Sequence, residues 1–331
     1  MNLPADFISN IKDAFGENGK KFLEDLPSLI REASNRWGLS NVEPVSNLSF
    51  NFVAFAQQRP SPVGVPKGVL REGQGEGDVV LKIGVPQAEL ASEMAALRLY
   101  NGNGTCRLLE HDEERGFLLL ERLKPGMMLS ELEDDDERTY IAVDVMSRLW
   151  REVNLDPAQG AEDGALSTGE KFIKLSDWFD GLKEIRPRFD GGTGPFPKQI
   201  LERVESHLPE LFADKNDQLL HGDFHHYNIL SSERGWLVID PKGVIGPAGY
   251  EVGPLMINPW GAISDAHGFK ARMERRVSIL SERLGWEPET ILGWASAHAI
   301  LSAWWCLDGE TELNSCWEYS IWCAERFSEI K

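Results

Sequence analysis

Apolar residues recur at helical spacing near the start of the chain, where Phe22, Leu23, Leu26, Leu29, Ile30 and Ala33 share one face. The pattern predicts an amphipathic helix over Phe22–Trp37 with Gly38 as its stop. The period then changes. "VSNLSFNFVAFAQ" (45–57) alternates in a strand-like way, and "GDVVLKIG" (77–84) is a β-branched run bounded by glycines. Between them, Arg59 to Gly77 is rich in Gly, Pro and Arg and reads as a hairpin loop or an irregular excursion. "PQAELASEMAALRLYN" opens with Pro86 in a first-turn position and predicts a helix, and "CRLLEHDEERGFLLLERL" predicts two strands around a charged turn. Strand, strand, helix, strand, strand describes a small, mostly antiparallel sheet carrying one main helix.

From about Leu129 the period is mostly helical, over Thr139–Val153, Leu175–Arg188, Gln199–Phe212, His267–Leu284, Glu287–Leu307 and Glu310–Phe327. One strand pair, around residues 219–240, interrupts this half. "LKPGMM" (123–128) is the expected connector, so the fold class is α+β, with a β-containing unit over 1–124 and a larger helical unit over 125–331. Trp294, Trp304, Trp305, Trp317 and Trp322 recur at helical spacing and are read as core, with some left over to wall a pocket. No internal repeat is visible, and no pattern sets an oligomeric state.

Composition narrows the classes. Asp plus Glu number 53 against 34 for Lys plus Arg, a formal charge of −19 that repels phosphate backbones and anionic lipid and favours a cationic small molecule. Nucleic-acid and membrane partners are not expected. The first residues lack the pattern of a secretory signal and no apolar stretch is long enough to span a bilayer, so a cytoplasmic protein is expected. Cys106, Cys306, Cys316 and Cys323 form no CxxC pair and are read as buried, reduced thiols. The run "ELEDDDER" (131–138) reads as a solvated helix start, the alternative being a hold for a cationic substrate.

The chemistry concentrates in "LLHGDFHHYNILSSERGWLVIDPKG" (219–243). His221 and His225 have the i, i+4 separation of zinc ligands on a helix, but Gly222 and the apolar run after Asn228 argue against a helix there. Phosphoryl transfer from ATP asks instead for a carboxylate that orients the attacking hydroxyl and oxygen ligands for Mg2+. The kinase pattern sets an Asn five positions after an Asp, with a second Asp beyond a strand. Asp223, Asn228 and Asp240 meet it, the last delivered by "GWLVI". Such a site also needs a strand lysine for the α- and β-phosphates, oriented by a helix glutamate. Lys82 lies within an apolar strand, where an unpaired ammonium is costly. Glu93 lies on the apolar stripe of the next helix and is the favoured partner, with Glu89 as the fallback.

"HGDFHHYNIL" resembles the catalytic loop of the aminoglycoside phosphotransferases, and "VIDPKGVIGPAGYEVGPLMINP" is similar to the metal-binding segment of the streptomycin 6-phosphotransferase and hydroxyurea phosphotransferase group. The resemblance runs from about Leu23 to Glu325. It implies a bilobal protein-kinase-like fold with a nucleotide-binding lobe over 1–124 and the catalytic loop, metal loop and acceptor site in 125–331. It also implies ATP and Mg2+, with Asp223 as the catalytic base, Asn228 and Asp240 as the metal ligands and His221 as a buttress. His225 and His226 either line the acceptor site or simply pack, and Tyr250 and Glu251 anchor structure. By the same resemblance Glu121 and Leu123 offer backbone contacts to adenine, with Leu120 near the ring. One departure stands out: the nucleotide-loop segment "VSNLSFNFVAF" has no glycine, so Ser46, Asn47 and Ser49 are the candidate phosphate donors. The expected activity is transfer of a phosphoryl group to a hydroxyl of a small molecule, most simply an aminoglycoside such as streptomycin or a related metabolite. The rivals are a noncatalytic kinase-like nucleotide-binding protein and a histidine-based metallohydrolase.

Overall fold

A computed structural model describes residues 3–59, 77–152, 172–213, 216–261, 265–307 and 313–330. The loop expected between Arg59 and Gly77 lies almost wholly outside them, as do Val153 and Glu310, the ends of two expected helices. The chain divides into two compact units, Met1–Gly102 with Cys106–Leu123, and Asn103–Thr105 with Lys124–Lys331.

Among the described residues the first unit is a five-stranded antiparallel sheet with two helices. Its strands are β1 (Leu39–Pro44), β2 (Phe52–Gln58), β3 (Gly77–Ile83), β4 (Leu108–Asp112) and β5 (Phe117–Glu121), in the order β1-β2-β3-β5-β4. Helix α1 (Ala5–Trp37) starts well before the expected Phe22. Its helical period is interrupted at Gly16, which has φ 53° and ψ −127°. Gly19 follows where a Cβ would stand 2.2 Å from the Ile11 carbonyl oxygen, so this close approach admits only glycine. Phe7, Ile11, Phe22 and Leu26 of α1 form one core with Phe52 and Ala54 of β2, Leu81 and Ile83 of β3, and Phe117 of β5. Strand side chains alternate between faces, so Lys82, between Leu81 and Ile83, points away from α1. Helix α2 (Ala88–Tyr100) ends at Asn101, whose left-handed backbone returns its N–H to Leu97 O.

Two expectations for this unit are corrected. The strand foreseen from Val45 begins at Phe52, because residues 45–51 turn between β1 and β2, with Val45 N donating to Val53 O. Strand β1 was not foreseen, being an exposed edge with Pro44 at its end and a register shift between Ser40 and Glu43.

The second unit is mainly helical but, among the described residues, holds seven short strands rather than one pair. These are β6 (Pro125–Met128), β7 (Arg151–Glu152), β8 (Ile173–Lys174), β9 (Gln218–Leu220), β10 (Ile229–Ser232), β11 (Gly235–Val238) and β12 (Val244–Gly246). They make two small sheets, β11-β10-β6 and β7-β9-β12-β8. The helices are α3 (Asp135–Leu149), α4 (Leu175–Asp180), α5 (Ile185–Arg188), α6 (Lys198–Leu211), α7 (Val252–Met256), α8 (Ala266–Leu284), α9 (Pro288–Leu307) and α10 (Ser315–Phe327). Helix α3 begins four residues before the expected Thr139, because Asp134 caps it by accepting from Asp136 N and Glu137 N. The single helix expected over Leu175–Arg188 is α4, a 3-10 turn and α5 in succession.

The cysteine expectation is corrected in part. Cys306 and Cys316 are joined by a disulfide between α9 and α10, while Cys106 and Cys323 are buried thiols outside that disulfide. Trp294, Trp304 and Trp317 are core, whereas Trp305 keeps 43 % of its surface exposed.

Candidate active site

In the first unit, the alternation of β3 sends Lys82 to the side where α2 presents Glu93. Lys82 Nζ lies 2.7 Å from both Glu93 carboxylate oxygens, and both residues are buried. Two opposite charges taken out of water at this distance hold each other. Glu89, the fallback partner, is exposed on the first turn of α2.

Ser46, Asn47 and Ser49 occupy the turn between β1 and β2, all three exposed, with Leu48 buried between them. Glu121 ends β5, and its backbone N–H already donates to Arg107 O at 2.9 Å. A contact from Glu121 to a nucleotide would therefore use its carbonyl. Its side chain accepts from Arg107 N. Leu120 and Leu123 are both buried.

In the second unit, β9 leads into a loop held by hydrogen bonds between its side chains and the backbone. Gly222 has φ +83°, a left-handed backbone that suits glycine, and a Cβ there would stand 2.8 Å from Val244 Cγ2. His221 is buried, with Nε2 2.9 Å from Ile239 O and Nδ1 3.2 Å from Asp223 N. These partners fix a neutral tautomer, with Nε2 donating and Nδ1 accepting. Burial lowers its pKa to about 4. With both ring nitrogens committed to the backbone, His221 is not available to a metal. Among the described residues no group of three or more His, Cys, Asp or Glu could hold one either.

Asp223 follows at once. Its Oδ1 lies 3.4 Å from His225 Nε2, and 37 % of its side chain stays exposed. Burial of the rest pushes its pKa up, but His225, Lys242 and His221 together outweigh this and hold the carboxyl well below the usual range. Such a carboxylate is a weak base, suited to orienting a hydroxyl and taking its proton late.

Asn228 closes the loop. Its Nδ2 donates to the Asp223 carbonyl at 3.0 Å and lies 3.4 Å from His225 Nε2, which turns Oδ1 to the other side. Among the described residues nothing donates to Oδ1, so it is free to act as a ligand. The β10–β11 hairpin then brings Asp240 back beside it. Ile229 pairs with Val238, Ile239 N donates to Asn228 O at 2.9 Å, and Asp240 is the next residue. Asp240 has φ +60°, a left-handed backbone uncommon outside glycine, and one that Asp tolerates better than most residues. Lys242 N donates to His221 O, tying the segment after Asp240 to the loop that carries Asp223. An amide oxygen beside a carboxylate is a donor set for a hard oxygen-seeking cation such as Mg2+, which keeps waters and substrate phosphates in its other positions.

Two buried residues support the loop, and only the second escaped the sequence reading. Glu251, expected to anchor structure, accepts from Gly222 N at 3.1 Å through Oε1, while Oε2 is buried without a partner. Burial raises its pKa to about 8, against the pull of the Gly222 and His221 backbone donors. Arg276, which no local pattern marks, is buried and reaches Asp135, the carbonyls of Leu255 and Asn258, and His226. His226 is thereby packed into the interior; burial first, then Arg276, hold it well below the usual histidine range. Four of the six carboxylates in the acidic run, those of residues 131, 134, 135 and 136, are engaged. Asp134 caps α3, Asp135 and Asp136 pair with Arg276 and Arg275, and Glu131 accepts from Met128 N, so these carboxylates are not an open trap for cations.

Comparison with known proteins finds relatives over nearly the whole chain. A streptomycin 6-kinase of Streptomyces glaucescens is 28% identical over 318 residues, covering 95% of this chain and 94% of that protein. A hydroxyurea phosphotransferase of Kitasatospora aureofaciens is 31% identical over 318 residues, covering 95% and 83%. Among solved structures, a choline/ethanolamine kinase family protein from Mesorhizobium loti superposes with a TM-score of 0.57 at 14% identity, covering 91% of this chain and 94% of that one. An aminoglycoside phosphotransferase, APH(4)-Ia, in a ternary complex with ADP and hygromycin B gives 0.55 at 15% identity, covering 90% and 96%. These likenesses carry the protein-kinase-like α+β fold. The model of the aminoglycoside/hydroxyurea antibiotic resistance kinases matches residues 63–309, and the chain belongs to that family of small-molecule kinases.

Proposed function

We propose that this kinase moves the γ-phosphoryl group of ATP to a hydroxyl of an aminoglycoside of the streptomycin kind or a related small metabolite. The observation that carries the reading is the loop and hairpin that tie Asp223, Asn228 and Asp240 together, Asn228 Nδ2 donating to the Asp223 carbonyl and Ile239 N, next to Asp240, donating to Asn228 O. The acceptor oxygen attacks the γ-phosphorus, the bond from that phosphorus to the bridging oxygen breaks, and ADP leaves. The acceptor proton passes to Asp223. Bound Mg2+ would supply charge neutralisation on the phosphates, with Asn228 and Asp240 as its protein ligands. Lys82, held by Glu93, is the cation for the α- and β-phosphates, and the turn carrying Ser46, Asn47 and Ser49 supplies further donors. Hinge contacts to adenine fall to the Glu121 carbonyl and the Leu123 backbone.

The remaining parts of the reading follow from charge. A formal charge of −19 disfavours nucleic acid and suits a cationic acceptor. No helix among the described residues is long and apolar enough to cross a membrane, and we place the protein in the cytoplasm, where ATP is found. ADP release from MgATP, measured across streptomycin, other aminoglycosides, hydroxyurea and simple sugars, tests the assignment. Acceptor-dependent release names the substrate class. Nucleotide binding with no release for any acceptor would support a noncatalytic kinase-like protein instead.

A further inference from the structure

Beside the catalytic loop two indoles stand partly open to solvent. Trp178, on α4, reaches the loop directly: a Cβ built on Gly222 would lie 3.2 Å from Trp178 Cη2. Gly222 immediately precedes Asp223. Trp305, near the end of α9, meets Trp178 edge to face, with ring centroids 5.3 Å apart and planes at 89°. Trp178 is half-buried, and Trp305 keeps 43 % of its surface exposed although its neighbour Trp304 is buried. A single exposed indole on a surface needs no explanation. Two of them meeting at a right angle, one of them against the glycine that precedes Asp223, make a partly exposed aromatic corner.

The backing of this corner is rigid. Tyr250 packs on Trp178 at 6.0 Å and on His298 at 5.5 Å, and His298 packs on Trp305 at 6.3 Å. Tyr250 and His298 are buried and joined by a 3.0 Å hydrogen bond between the phenol oxygen and Nδ1. Burial lowers the pKa of His298 to about 4, so it puts no positive charge behind the two indoles near neutral pH. The face of an indole attracts a cation, and guanidinium groups also stack on it. Asp177, exposed on the same turn as Trp178, has no ion pair among the described residues and leaves a carboxylate nearby.

We propose that Trp178 and Trp305 form the acceptor subsite, holding a guanidinium or ammonium group of the substrate while its hydroxyl faces Asp223. The proposal rests on the reading of Asp223 as the residue that receives that hydroxyl, and it narrows the acceptor to a hydroxylated cation. Selectivity over neutral acceptors then comes from the corner rather than from the phosphoryl-transfer residues.

The test uses the full chain. Indole N–H resonances of Trp178 and Trp305, assigned through Trp178→Leu and Trp305→Leu, are followed while methylguanidinium is titrated in, with its neutral analogue N-methylurea as the control. Methylguanidinium should shift both resonances and N-methylurea neither. In parallel, Trp305→Leu should raise KM for streptomycin, a guanidinium-bearing probe, by about 5- to 30-fold more than KM for neutral hydroxyurea, with Trp305→Phe in between. Equal shifts by the cation and its neutral analogue, or equal KM changes for the two acceptors, would overturn the proposal. The two readings fail separately. Cation-specific shifts in a protein that never releases ADP would refute phosphoryl transfer and keep the subsite, whereas turnover of hydroxyurea without any response to methylguanidinium would do the reverse.

Discussion

Glu251 offers the sharpest quantitative consequence of the loop architecture. Its carboxyl is fully buried, bonded through Oε1 to Gly222 N, and raised from an ordinary 4.5 to about 8 mainly by burial. Near neutral pH the group is therefore a protonated acid in the folded chain and an ionised one in the unfolded chain. The folded state holds the extra proton, so stability is lost as pH rises from about 4.5 and levels off above about 8. At about 1.4 kcal/mol per pH unit the whole excursion is worth about 5 kcal/mol, of which about 3 falls between about pH 5.5 and 8. Glu251→Gln keeps the shape and an oxygen for Gly222 N but has no proton to lose. Urea unfolding of wild type and variant at those two pH values should show the variant gaining about 3 kcal/mol on wild type between them. A variant that is less stable than wild type by the same amount at both values would refute the reasoning. The carboxylate would then be ionised throughout and held by its backbone donors. Glu251→Ala strands a buried N–H and opens a cavity and should cost about 3 kcal/mol at about pH 5.5, a cost that shrinks by about 3 kcal/mol at about pH 8 because this variant also lacks the titrating proton.

Other parts of the structure give separate expectations. Lys82→Met should destabilise the first unit by about 3–5 kcal/mol by breaking the buried ion pair with Glu93, and adding Glu93→Leu should recover much of that loss. A double-mutant cycle by thermal unfolding checks it, and additive losses would contradict it. Asn228→Ala removes both the Nδ2 bond to the Asp223 carbonyl and the free Oδ1. It should weaken ADP binding in the presence of Mg2+ while leaving ADP binding in EDTA close to wild type, as calorimetry can show. Equal weakening in both media would deny Oδ1 a part in metal binding.

Much of the site was legible because each of its members violates a local rule. Lys82 interrupts an apolar strand, Glu93 interrupts an apolar helix stripe, and a buried charge demands its opposite. Their 2.7 Å contact follows from two periodicities, one of 2 and one of 3.6. Asp223, Asn228 and Asp240 are spaced by a loop and a hairpin whose strands are short but strongly apolar. Strands such as β7, β8 and β9, two or three residues long, are too short to show any period, and the first half of α1 is hidden by Gly16. The supports are harder still. Glu251 meets Gly222 across 29 residues and Arg276 meets Asp135 across 141, and neither contact leaves a trace in the local sequence. The aromatic residues of the helical half read as core because they share its spacing. Only the fold separates Trp294, which is buried, from Trp305, which is not.

The central claim is that Asp223 directs the acceptor hydroxyl while other residues hold the nucleotide. Single-turnover transfer from radiolabelled MgATP, run beside equilibrium MgADP binding in wild type and Asp223→Asn, tests it most directly. The account predicts transfer slowed by about 10^2- to 10^4-fold with MgADP affinity retained. Transfer at close to the wild-type rate would contradict it.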